Sequence, residues 1–195
     1  MRLNVSSMRL PSIAVAVLVL SSGASAADHQ FDYRILGTSK TSTMEKEMNE
    51  AADAGFKFSH VMGGESSVGG KEVIVAMVKD ISVTAEGNRK YKLLATSKTS
   101  TMQKEMQQLA DERFEYLGQT VFESAFGGKE VVVIMERNPA KEDLRSSYRL
   151  MATTKTSTMQ KELREAGEQG YVLVGLTVAK TALGGSEVVS ILRKY

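Results

Sequence analysis

The side chains best suited to chemistry in this chain come as one heptad written three times. TSKTSTM occupies residues 38–44, recurs unchanged at 96–102, and returns as TTKTSTM at 153–159. Hydroxyls around a single ammonium suit the holding of an anion or polar ligand better than the breaking of bonds. The candidate ligand-binding residues are therefore Lys40, Thr41 and Ser42, with Lys98, Thr99 and Ser100, and with Lys155, Thr156 and Ser157. At a helix N-terminus, free backbone N–H groups would add their own pull on an anion. The heptad is not a P-loop, because the glycines that wrap a phosphate are missing. A structural reading stands beside this one. Ser42, Ser100 and Ser157 each stand three residues before Glu45, Gln103 and Gln160. That is the capping-box spacing, in which hydroxyl and Glu/Gln side chain satisfy orphan N–H groups reciprocally. Each serine cap is worth about 1 kcal/mol. Capping accounts for the serines and leaves the lysines and threonines unexplained.

Other reactive groups are sparse. Glu72, Glu130 and Glu187 follow Gly-Gly pairs at 69–70, 127–128 and 184–185. Those glycines would supply positive φ to hairpin loops, and the glutamates are expected in cross-loop ion pairs with the heptad lysines. His29 falls in a stretch expected to fray, and His60 has no counterpart in the other copies; a lone histidine is a poor base or ligand. The chain has no cysteine, hence no disulfide and no thiolate metal site. Nucleophile elbow, histidine pair and dinucleotide fingerprint are all missing from the sequence. No cofactor or metal is expected. The sequence favours a non-enzymatic interaction scaffold or a module for a polar or anionic ligand. Its partner would be a protein or a polar or anionic small ligand. The alternative is a hydrolase-like enzyme whose site is assembled between repeats.

The heptads sit inside a longer repeat. Met44, Met102 and Met159 recur at a period of about 58 residues, the mark of one supersecondary unit copied. Three units follow, 31–80, 90–138 and 147–195, joined by variable linkers. Each opens on a strand beginning at Tyr33, Tyr91 or Tyr148. Methionine and alanine or leucine then recur at spacings of 4, 7 and 8, giving one apolar helical stripe. Gly55 and Gly170 stand where a left-handed residue ends the helix, and Arg113 holds that place in the middle copy. Two further strands complete a β-α-β-β unit. The expected class is α+β, with three mainly antiparallel three-stranded sheets, each under one helix. The third strand should lie between the other two. A unit this small is marginal alone, so the three should pack together through sheets or sheet edges. The second strand of the third unit, apolar on both faces over Tyr171–Val174, is expected to be buried on both sides.

The residues after the helix carry a resemblance. Gly55-Phe56-Lys57-Phe58-Ser59 and Gly170-Tyr171-Val172-Leu173-Val174 resemble the G-W-E-L-V motif of a type of small bacterial domain of unknown function. The middle copy departs from it with Arg113-Phe114-Glu115-Tyr116-Leu117. The resemblance implies a β-α-β-β module and no activity.

Residues 1–26 have the order of a secretory signal peptide. Arg2 and Arg9 precede the short apolar run Ile13–Leu20, and Ala24-Ser25-Ala26 forms an A-x-A site. The run is shorter than the roughly 20 residues of a spanning helix, so no stable membrane insertion is expected after cleavage. The remainder is read as exported, to the periplasm or the medium. The chain holds 25 Lys and Arg against 23 Asp and Glu; losing Arg2 and Arg9 brings the balance to zero. Such a surface lacks the basic face that nucleic acid requires.

Overall fold

The computed structural model describes residues 29–66, 70–84, 88–123, 129–141, 145–180 and 186–195. The expected signal peptide, and Gly69, Gly127, Gly128, Gly184 and Gly185 of the hairpin loops, lie outside the described residues. Unit 1 runs β1 (Phe31–Thr38), α1 (Thr41–Asp53), β2 (Lys57–Ser66) and β3 (Gly70–Asp80). Unit 2 runs β4 (Lys90–Thr96), α2 (Thr99–Asp111), β5 (Glu115–Glu123) and β6 (Lys129–Arg137). Unit 3 runs β7 (Ser147–Thr153), α3 (Thr156–Glu168), β8 (Val172–Lys180) and β9 (Ser186–Lys194). The sheets are ordered β1-β3-β2, β4-β6-β5 and β7-β9-β8, and every pairing is antiparallel. The class is α+β, with the third strand central in each sheet.

The helices form on the expected stripe. Met44, Met48, Ala51 and Ala52 of α1 are buried, as are Met102, Met106 and Ala110 of α2. All three end in the same corner. Gly55, Arg113 and Gly170 have φ of 89°, 71° and 83°. Gly55 N–H donates to the Ala52 carbonyl and Phe56 N–H to that of Ala51, with equivalent bonds in the other two units. This is the Schellman arrangement. A Cβ is penalised in the left-handed region. Arg113→Gly is accordingly expected to be neutral or stabilising by up to about 1 kcal/mol, because glycine also gains freedom in the unfolded chain. Gly55→Arg and Gly170→Arg should each cost about 1–2 kcal/mol. Urea midpoints of the three variants check this, and a clear loss in Arg113→Gly would count against equivalent corners.

Helices α1 and α2 also pack along the first strand of the next unit, α1 on β4 and α2 on β7, while β2 packs on β5 and β5 on β8. The cores therefore straddle unit boundaries. The first joins Met44, Met48 and Phe56 to Tyr91, Val132 and Ile134 of unit 2. The second joins Met102, Met106 and Phe114 to Tyr148, Val189 and Ile191 of unit 3. A sheet thus meets its own helix on one face and the preceding unit on the other. Only the middle sheet has a neighbour on either side among the described residues, and Val131–Glu136 of β6 are all buried.

The expectation for the third unit is overturned. In β8, Val172, Leu173, Leu176 and Val178 are 65%, 43%, 56% and 63% exposed. The reason is positional. The second strand of a unit is covered on one face by the unit that follows; β5 packs on the other face of β8, but no described unit lies over the Leu176 and Val178 face.

Candidate functional site

The strand-to-helix loops come first, because the heptads lie in them. Helix α1 begins after Lys40, which occupies the N-cap with extended backbone, and no side chain caps it; Lys98 and Lys155 repeat this in α2 and α3. The expected capping box is not formed. Ser42, Ser100 and Ser157 fall inside the first turn and are exposed. The hydroxyl that acts locally belongs to the residue ending the strand. Thr38, Thr96 and Thr153 Oγ1 accept the N–H of Lys40, Lys98 and Lys155 at 3.1, 3.1 and 3.3 Å. This side-chain turn competes with capping for the same segment and starts the helix earlier than the S-x-x-[E/Q] spacing implies.

The three lysines are exposed and, among the described residues, form no ion pair with Glu72, Glu130 or Glu187. The cross-loop pairing is thus also overturned. Nor do the heptads share a cavity among those described. Thr96, Ser97, Lys98 and Thr99 line a small gap with Leu150 and Val189, while Ser100 and Thr101 line a separate open surface with Lys104. The most voluminous described cleft, about 670 Å³, involves no heptad residue. Lys90, Asp111 and Lys141 help line it, and Lys141 there pairs with Glu115 at 2.8 Å. Among the described residues, no group of three His, Asp or Glu side chains is placed to hold a metal.

What the fold does bring together is the boundary between units. Glu45 and Gln103, assigned above to capping, reach across it instead. Leu93 N–H donates to Glu45 Oε2 at 3.0 Å and Lys92 Nζ to Oε1 at 2.8 Å. One turn on, Asn49 Nδ2 donates to the Tyr91 carbonyl at 3.1 Å and Tyr91 N–H to Asn49 Oδ1 at 3.0 Å. At the next boundary, Gln103 takes the Tyr148 carbonyl and Leu150 N–H, and Gln107 takes the Ser146 carbonyl and Tyr148 N–H. A column of helix side chains thereby stands in for a neighbouring strand. It closes the open edges of β4 and β7, which would otherwise offer unpaired backbone to any passing strand.

A tyrosine locks each boundary. The Tyr91 hydroxyl accepts Phe58 N–H at 3.0 Å, beside the bulge in β2, and donates to Glu136 Oε2 at 2.8 Å. Glu136 Oε1 meets Arg89 Nη1 at 3.0 Å, both residues being buried. Tyr148 accepts Tyr116 N–H at 2.7 Å, beside the bulge in β5. Glycines permit the approach. A Cβ on Gly118 would stand 3.1 Å from the Phe58 ring, and one on Gly175 would run into Tyr116 and Gln119. The recurrence of Tyr33, Tyr91 and Tyr148, of Glu45, Gln103 and Gln160, and of an amide at Asn49 and Gln107 was the signal for this boundary.

Burial pushes the phenols up. Desolvation is the main cause for Tyr91, aided by the Glu136 charge; Tyr116 is pushed up to about 12, and Tyr148 is also raised. These groups are held neutral, which suits hydrogen bonding rather than base chemistry. The stability they contribute is present below the unfolded phenol pKa of about 10 and falls as pH rises toward the folded values. Unfolding should therefore set in between about pH 10 and 12, with tyrosinate absorbance and loss of circular dichroism rising together. Full tyrosinate formation with the fold intact would contradict it.

His29 is fastened rather than frayed. Its Nδ1 lies 2.7 Å from Asp80 Oδ2, and the Ser82 hydroxyl and His29 together hold the Asp80 carboxyl below its usual range. Among the described residues, no helix is long and apolar enough to cross a membrane. Comparison with family models, with curated proteins and with solved structures finds no match to this chain.

Proposed function

We propose that this chain is an exported, non-catalytic interaction scaffold that binds a partner protein through the ends of its repeat stack. The observation carrying this reading is the apolar face of β8, where Leu173, Leu176 and Val178 stand in solvent. A contiguous exposed apolar strand is a common mark of a protein-binding surface. The heptad loops lie apart and carry no such argument, so the polar-ligand reading falls behind. Export rests on the order of residues 1–26, and the N-terminus of the exported protein should be Ala27 by mass spectrometry. Recovery of Met1 on the exported protein would contradict that.

The binding reading is tested with a photoreactive side chain at position 176, and at position 104 on the exposed face of α2 as control. In cells, a covalent protein adduct is expected at 176 and not at 104. Equal labelling at both positions, or none at either, would remove the reading.

A further inference from the structure

We infer that the partner covering β8 is a second copy of this chain, docked head to tail through its β1 edge. This inference rests on the scaffold reading and names its occupant. The argument is continuity. The chain makes the same boundary twice, between units 1 and 2 and between units 2 and 3, and exposes the two complementary halves of a third.

The head half is β1. Tyr33 stands where Tyr91 and Tyr148 stand, yet it is 62% exposed against their 1% and 3%. Ile35 is 68% exposed, whereas its equivalents Leu93 and Leu150 are partly covered. No described helix lies along the β1 edge. The tail half is α3 with β8. Gln160 and Arg164 occupy the places of Gln103 and Gln107, and both are exposed. Leu173 lies beside the bulge in β8, at the position where Phe58 and Tyr116 donate their N–H to a tyrosine of the next unit.

Placing unit 1 of a second copy after unit 3 matches these groups in register. The Tyr33 hydroxyl accepts Leu173 N–H, and Gln160 spans the Tyr33 carbonyl and Ile35 N–H. The departures from the internal boundaries compensate one another. At those boundaries an aromatic side chain presses on a glycine, Phe58 on Gly118 and Tyr116 on Gly175. At the third, the glycine is replaced by His60 and the aromatic by the smaller Leu173. Lys90 pairs with Asp53 at the first boundary; the third sets Asp32 near Glu168, with Arg164 one helical turn away to bridge them. The two docked surfaces differ from each other, so the contact is heterologous, and it generates either a closed ring or an open fibre.

The experiment uses protein purified after expression of the full chain, with sedimentation velocity over a range of concentrations. Tyr33→Asp blocks the head and Leu176→Asp blocks the tail, both at exposed positions, and circular dichroism verifies the fold. The parent is expected to self-associate. Each variant alone should be monomeric, its association weakened by about 100-fold or more by a carboxylate driven into an apolar contact. An equimolar mixture should form a 1:1 dimer and nothing larger, because one intact head meets one intact tail. A monomeric parent, association that survives either substitution, or a mixture that stays monomeric would each overturn the inference. If it is overturned while position 176 still crosslinks a different protein, the scaffold reading stands with another occupant. If position 176 crosslinks nothing, both fall.

Discussion

Glu136→Ala is expected to destabilise the protein by about 3–5 kcal/mol, the usual cost of taking one partner from a buried ion pair. The carboxylate holds Arg89 Nη1 on one oxygen and the Tyr91 hydroxyl on the other, and the two charged side chains are 10% and 7% exposed. Alanine leaves the guanidinium in the boundary without this counter-charge and the phenol without its acceptor. The double variant Arg89→Met, Glu136→Leu should instead lie near the parent, since replacing a whole buried pair by apolar groups is often neutral or better. Unit 3 already carries different chemistry there, with Ser146 and Arg193 in the equivalent places. Urea midpoints of the single and double variants decide it. A double variant as unstable as the single one would show that the pair itself holds the boundary.

Asn49→Ala should cost about 2–4 kcal/mol, because it removes the partner of both backbone groups of Tyr91 in a half-buried setting. Neither group has a strand beyond it, so the loss falls on the boundary and not only on α1. Asn49→Gln should recover most of the stability, as Gln107 makes the same kind of pairing with Ser146 and Tyr148. The check is the urea midpoint together with amide exchange at Tyr91 and Leu93. Unchanged exchange at Tyr91 in Asn49→Ala would mean that water replaces the side chain without penalty.

The repeat, the order of elements and the central third strand were legible because periodicity and glycine placement are local properties. The left-handed corner was legible even at Arg113, since an aligned backbone can be inferred through a residue that resists it. The site was not. Glu45 and Gln103 obey the capping spacing, and sequence alone cannot reveal that a strand edge from the next unit competes for the same side chains. The second strands misled in a related way. Burial of Phe58 or Leu173 depends on a neighbouring unit, whereas hydropathy speaks only for the residue itself. Tyr33, Tyr91 and Tyr148 look alike in the sequence and differ in exposure from 62% to 1%. That difference arises from position in the stack.

The shared boundaries have a consequence for cooperativity. Units contact their sequence neighbours, as in a one-dimensional chain whose stability is a sum of unit and nearest-neighbour terms. Unit 2 enters both coupling terms, so opening its sheet uncovers both neighbours at once, and β6 should be the last strand to exchange its amides. Units 1 and 3 each enter one term and can open singly at lower free energy. The faces offered for docking thus sit on the two most labile parts of the molecule. An occupant of β8 adds a missing coupling term, and by mass action it raises the opening free energy of unit 3 in proportion to the logarithm of its concentration over its dissociation constant. Capping an end and rigidifying that end are then one equilibrium seen from two sides.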